Sequence, residues 1–180
     1  MAETLRVGLI GAGENTRTRH LPGFQAIDGV EVVAVCNRSD ESGHRVADQF
    51  GIGRVETDPE ALFADPAIDA ICIGTWPYRH REFVVRALDA GKHVLTEARM
   101  AMNAAEAREM LEASRRHPEL VAQVVPGPFD LRSWQTVRRL VAEGALGDIR
   151  EVHVSVLNGG ATDPSTPLHW REQTVYSGAN

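Results

Sequence analysis

Apolar residues fall along this chain in short solid runs separated by longer amphipathic stretches. Leu5–Ile10, Val30–Cys36 and Ala70–Ile73 are nearly continuous apolar segments, with shorter ones at His93–Leu95 and Leu120–Val125. Strands that read as unbroken runs rather than as alternation are buried on both faces, as in a parallel sheet covered by helices. The stretches between them carry helical patterns at about 19–27, 41–50, 79–90 and 104–116, and Gly91 supplies a C-terminal stop after the third. Asp58-Pro59-Glu60 opens another short helix, with Asp as N-cap and Pro in the first turn, and a weak strand is expected near Arg54-Val55. Strand–helix–strand repetition of this kind predicts an α/β fold with a Rossmann-type, doubly wound parallel sheet.

The rhythm breaks at Pro126-Gly127-Pro128. We place the domain boundary there: residues 1–126 form the parallel-sheet domain, and 127–180 begin a second segment with an antiparallel strand expected in it. A helix is expected over about 131–143, ended by Gly144 and Gly147, with Trp134 on its apolar face and therefore in a core. Residues 149–157 alternate Glu151, His153 and Ser155 with Val152, Val154 and Val156, the pattern of an antiparallel strand with one polar face. Such a strand needs neighbours. The tail from Asn158 reads as loop.

The chemistry concentrates after the first strand. Gly11-Ala12-Gly13 follows it directly and precedes a helix. Glycine there permits a tight turn and close approach of a pyrophosphate, while the helix start offers free N–H groups to the anion. Glu14 and Asn15, opening that helix, join Gly11 and Gly13 in the expected cofactor-binding set, although Glu14 adds a negative charge beside the phosphates. The third glycine position of the G-x-G-x-x-G pattern is Thr16, which predicts a helix sitting slightly further from the strand. At the end of the second strand, Asn37-Arg38-Ser39 stands where a carboxylate would hold ribose hydroxyls and repel a 2′-phosphate. A neutral Asn37, with Arg38 and Ser39 able to bind phosphate, favours NADP. The alternative is NAD, with Arg38 stacked on adenine or solvated.

Composition narrows the classes. A net charge of −6 with scattered basic residues gives no nucleic-acid footprint, and no apolar run is long enough to span a membrane. Two cysteines, Cys36 and Cys72, read as small core residues rather than as a disulfide framework, so a cytoplasmic location is expected. His20 reads as a helix-surface residue and His93 as structural, and no metal site is expected from His169 and Asp163.

Several stretches together resemble a known family: GLIGAG (8–13), AVCNR (34–38), DAICIGT (69–75), AGKHVLTE (90–97) and GALGDI (144–149). In order and spacing, over nearly the whole chain, they are similar to the Gfo/Idh/MocA oxidoreductases. The resemblance implies hydride transfer between a nicotinamide cofactor and a sugar-like or polyol alcohol or carbonyl. It also implies that 1–126 is the dinucleotide-binding domain and 127–180 the incomplete start of an α/β domain with an antiparallel sheet, through which homo-oligomers form if the full-length chain exists. By the same resemblance Thr75 and Trp76 line the ribose and nicotinamide, His80 is the histidine after the family's Thr-Pro-Asn turn, and Trp170-Arg171 match a Trp-Arg pair near the cofactor. Glu97 ends a strand on the ligand side of the sheet.

Two departures stand out. The family's Glu-Lys-Pro motif reads Glu97-Ala98-Arg99 here, so the usual proton-handling lysine is Ala98, and Arg99 stays protonated. Glu97 and His80 remain as candidates for that role. The family's second catalytic segment, with an Asp and a His, is expected beyond Asn180. Three readings stay open: an enzyme represented by an incomplete chain, a catalytically inactive dinucleotide-binding module (a sensor or a subunit), and an α/β protein that binds no nucleotide.

Overall fold

The computed structural model describes residues 4–125, 134–155 and 165–178. Two compact units are present: one comprises 1–125 with 169–180, the other 126–168. Residues 169–178 group with the first unit.

The first unit is built on six parallel strands: β1 (Leu5–Ile10), β2 (Val30–Cys36), β3 (Val55–Glu56), β4 (Ala70–Ile73), β5 (His93–Thr96) and β6 (Ala122–Val124). Their spatial order is β3-β2-β1-β4-β5-β6. The order reverses direction between β1 and β4, and a crevice opens at the carboxyl ends of the strands at that point. The helices between them are α1 (Leu21–Gln25), α2 (Asp40–Phe50), α3 (Glu60–Phe63), α4 (His80–Asp89) and α5 (Ala104–Arg116).

Both faces of the sheet are buried, which explains the unbroken apolar runs. On β1, Val7 and Leu9 pack with Leu21 of α1 and Val46 and Ala47 of α2. Ile10 points the other way, into a larger cluster with Ile71 and Ile73 of β4, Leu62 and Phe63 of α3, Phe83 and Leu88 of α4, and Met110 of α5. Each fully buried Leu or Ile stabilises by about 1.5–3 kcal/mol relative to exposure, and Leu9, Ile71 and Ile73 are 0% exposed. Ser39 caps α2 by accepting from Ser42 N–H, Asn103 caps α5 through Glu106 N–H, and Asp58 accepts from Glu60 N–H at 3.0 Å. The cysteines are buried thiols: burial, followed by Asp58 and Glu56, pushes Cys36 up to about 11, and burial with Glu97 pushes Cys72 up to about 12.

Some expectations need correction. The first helix starts earlier than expected, with a π-helical turn Thr16–His20 leading into α1. Thr16 does not hold this helix away from the sheet. It is 1% exposed, and its Oγ1 donates to the Gly11 carbonyl at 3.1 Å. The missing glycine is compensated across the contact: a Cβ on Gly74 would overlap Thr16 Oγ1 and the Gly11 carbonyl. The tail is not all loop, since Trp170–Glu172 forms a 3-10 turn and Thr174–Ser177 the short helix α7.

In the second unit, α6 (Trp134–Ala142) matches the expected helix over its described part, and Gly144 and Gly147 follow it with positive φ. Trp134 is exposed (55%) rather than core, because nothing described covers the apolar face it shares with Val137 and Val141. Residues 149–155 form no strand: no described segment pairs with them, and a strand without hydrogen-bonding partners is unstable. The expected boundary at 126–128, the helix start at 131–133, the strand end at 156–157 and Asp163 lie outside the described residues.

Candidate functional site

A cavity of about 540 Å³ opens at the carboxyl ends of β1, β2 and β4. It brings together Gly11, Gly13, Asn37, Arg38, Thr75 and Trp76 from the expected set. Gly11 has φ +84 and lies so close to Thr75 that a Cβ would come within 2.7 Å of its methyl group and 2.9 Å of its N. Only glycine meets both demands. Gly13 differs: a Cβ there meets nothing nearer than the Gly74 carbonyl at 4.0 Å. Gly13 lines the cavity, and the helical turn begins at the next residue, Glu14.

Asn37 holds this loop in place. Its Oδ1 accepts from Ala12 N–H at 2.8 Å and its Nδ2 donates to the Ser42 carbonyl at 3.0 Å, so its amide bridges the glycine loop and α2. Ser39 is likewise engaged as the α2 cap, through Ser42 N–H and Oγ. Arg38 is left as the cation facing the cavity from this end. Of the acids that follow it, Glu41 pairs with Arg45 at 2.8 Å, and Asp40 lies 3.5 Å from His44 Nε2.

A second group of polar residues lies at the end of β5. Glu97 accepts from His20 Nε2 at 2.5 Å and from Asn15 Nδ2, residues respectively 77 and 82 positions away in the chain. Its side chain is 13% exposed and that of His20 12%. Burial works to raise the Glu97 pKa, but the hydrogen bond and charge of His20, then Asn15 and the Ala98 N–H, outweigh it and hold the carboxyl below its ordinary value. His20 is thus a half-buried partner rather than the surface residue its helical position suggested. Only the pairing across the fold reveals this.

His80 is fully buried at the start of α4, with Nδ1 2.9 Å from the Arg99 carbonyl and Nε2 3.0 Å from the Thr75 carbonyl. Burial pushes its pKa down, against the pull of those carbonyls and that of Met100. It fastens the loop after β4 to the loop after β5. Trp170 and Arg171 reach the same region from the tail: Trp76 and Trp170 ring centroids are 6.4 Å apart, and Arg99 Nη1 donates to the Arg171 carbonyl at 2.8 Å. Glu14, Asn15, Ser39, His80, Glu97, Trp170 and Arg171 do not line the cavity itself. Cavity-lining residues absent from the sequence expectation include Thr57, Pro59, Tyr78, Arg79 and Phe83. The Arg79 guanidinium lies 4.5 Å from the Phe83 ring centroid, an i,i+4 pair that helical spacing alone would have suggested. Among the described residues no group of three His, Cys, Asp or Glu side chains could hold a metal ion.

The profile of the oxidoreductase family with an NAD-binding Rossmann fold matches residues 5–124, the part of the chain that builds the sheet and its glycine loop. The chain belongs to the Gfo/Idh/MocA oxidoreductase family. Within this family it is 39% identical over 146 residues to the 1,5-anhydro-D-fructose reductase of Ensifer adhaerens, covering 79% of this chain and 42% of that one. It is 34% identical over 151 residues to a dTDP-3,4-didehydro-2,6-dideoxy-α-D-glucose 3-reductase of Streptomyces violaceoruber, covering 84% and 44%. A crystal structure of KijD10, a 3-ketoreductase from Actinomadura kijaniata in complex with TDP-benzene and NADP, superposes with a TM-score of 0.72 at 30% identity. That match covers 82% of this chain and 46% of the other. The chain thus spans less than half the length of these relatives. As a Gfo/Idh/MocA member it carries the family's nicotinamide-dinucleotide fold, with Gly74 and Thr16 in place of the usual third glycine and with Ala98-Arg99 after Glu97.

Proposed function

We propose that this protein uses NADP(H) to transfer a hydride between nicotinamide and a sugar-like alcohol or carbonyl. The observation that carries the reading is the single cavity joining the Gly11–Gly13 loop to Arg38 at one side and to Thr75 and Trp76 at the other. The bound cofactor supplies the hydride chemistry. The chain's own residues bind and orient it. Gly11 and Gly13 admit the pyrophosphate, Asn37 keeps the loop in that shape, and Arg38 pairs with a 2′-phosphate. Sugar-modifying relatives support the substrate class.

For the proton, Glu97 is better placed than His80. The Glu97 carboxylate sits at the ligand end of β5 with part of its surface open, whereas His80 is 0% exposed and both ring nitrogens face carbonyls. General acid–base help contributes about 10²–10⁴-fold in rate. A second reading, a binding module without catalysis, is favoured by Ala98 at the lysine position.

Titration with NADPH and NADH tests the cofactor choice. A charge-assisted contact to the 2′-phosphate predicts NADPH tighter by about tenfold or more, erased by Arg38→Ala. A clear NADH preference contradicts the assignment. NADPH binding without oxidation or reduction of any sugar tried, in the full-length protein, favours the module.

A further inference from the structure

An aromatic cluster stands beside the cavity, assembled from two distant segments. The Trp76 ring lies 4.9 Å from Tyr176, 6.0 Å from Tyr78 and 6.4 Å from Trp170, and Tyr78 and Tyr176 are 6.3 Å apart. Trp76 is 36% exposed and Tyr78 45%. Neither Trp170 nor Tyr176 lines the cavity, so the cluster extends the site outward instead of completing the nucleotide pocket. The tail that brings them is tightly seated. A Cβ on Gly178 would overlap the Met102 backbone, and Ser177 Oγ donates to the Arg171 carbonyl at 2.9 Å.

One guanidinium lies over these rings and a second is hydrogen-bonded to the segment that carries Trp170. Arg171 lies 4.5 Å over the Trp170 ring, and Arg99 is held by the Arg171 carbonyl. Among the described residues neither pairs with a carboxylate, although most other arginines of this unit do. Aromatic faces present apolar surface with a negative quadrupole, suited to the C–H face of a pyranose ring. A guanidinium presents a planar fork of donors matched to carboxylate or phosphate oxygens.

We infer that the Trp76–Tyr176 cluster with Arg99 forms a subsite for a pyranose carrying an anionic group, carboxylate or phosphate. This rests on the sugar-oxidoreductase reading above and names the substrate class for it. Arg99 then has a role where it cannot act as a base: it anchors the anionic end of the sugar while the ring stacks on Trp76. Arg171 adds positive charge at the rim.

The test is saturation-transfer NMR and calorimetry on the full-length protein, with and without NADPH. The probes are methyl β-D-glucuronide, glucose 6-phosphate and the neutral methyl β-D-glucoside. The subsite predicts that at least one anionic probe binds about tenfold tighter than the neutral one, as expected for a charge-assisted contact. The tighter of the two identifies the carboxylate or phosphate source. Arg99→Gln should reduce that preference to near unity, with Arg99→Lys recovering part of it, and Trp76→Leu should weaken all three probes. Melting curves of each variant separate lost contacts from lost fold. Equal affinity for neutral and anionic probes, a preference untouched by Arg99→Gln, or no sugar binding by a protein that binds NADPH overturns the inference. In that last case the cofactor reading stands. Sugar binding with no affinity for either dinucleotide fails the cofactor reading and leaves the subsite intact.

Discussion

The central sheet and helix α6 are both written in apolar residues at the correct period, yet only one of them buries what it presents. Leu9, Ile71 and Ile73 are fully enclosed between helices on either side of the sheet, while Trp134, Val137 and Val141 of α6 are 55%, 41% and 46% exposed. Periodicity dictates which face of an element is apolar. Burial, and hence stability, depends on a second surface to receive it. The same contrast separates β1, β2, β4 and β5, paired on both sides, from residues 149–155, which alternate like a strand and pair with nothing described.

The largest effect that distinguishes the two regions is a core deletion. Ile71→Ala is expected to cost about 2–5 kcal/mol in urea unfolding, as transfer and cavity terms add. A loss under 1 kcal/mol would mean that the sheet is not the closed core described. Next comes Gly74→Ala, which sets a methyl group against Thr16 and the Gly11 carbonyl. Overpacking costs about 1–3 kcal/mol, and because it moves the phosphate loop, NADPH affinity should fall with it. The double variant Gly74→Ala/Thr16→Gly should recover part of the stability, whereas strict additivity would show that the two sites do not share this contact.

Acid should weaken the first unit by a route that leaves α6 untouched. The His80 pKa is depressed below 6.5 in the fold, so the unfolded chain binds more protons there. That contribution is present above pH 6.5 and is lost as pH falls through the folded value. Glu97, also depressed, adds a loss in the same direction below its ordinary value of 4.5. The urea midpoint should therefore drop from pH 8 to pH 5, and less steeply over that range in His80→Gln. A midpoint that rises on acidification contradicts a His80 pKa held below its ordinary value by burial. Smallest of all is Trp134→Ser, expected within about 0.5 kcal/mol of wild type for the described chain. A cost comparable to Ile71→Ala would erase the contrast between sheet and helix.

The same distinction marks what could be read from the sequence. The strands and their order of appearance were legible because burial on both faces leaves unbroken apolar runs, and Gly11-x-Gly13 was legible because its chemistry is local. Compensation of Thr16 by Gly74 was not, since it joins residues far apart in the chain at a contact that only the sheet order creates. His20 illustrates the same limit. Its helical position says surface, and its partner Glu97 lies 77 residues on. Asn37 lines the cavity, and its two amide bonds to Ala12 and Ser42 make it a brace for the loop, which composition at the strand end cannot distinguish from a ligand contact. Trp134 erred in the other direction: its spacing was right and its covering surface was not there among the described residues.

The central claim is that the Gly11–Gly13 cavity holds a nicotinamide dinucleotide, and Gly13→Val tests it most directly. The fold leaves room at Gly13, with the Gly74 carbonyl 4.0 Å from a Cβ, so added side-chain atoms displace ligand rather than protein. Calorimetric titration with NADPH should show binding by the wild type and a loss of at least about 100-fold, close to 3 kcal/mol, in the variant, with an unchanged melting temperature. Equal NADPH affinity in the wild type and Gly13→Val would contradict the assignment of this cavity as the cofactor site.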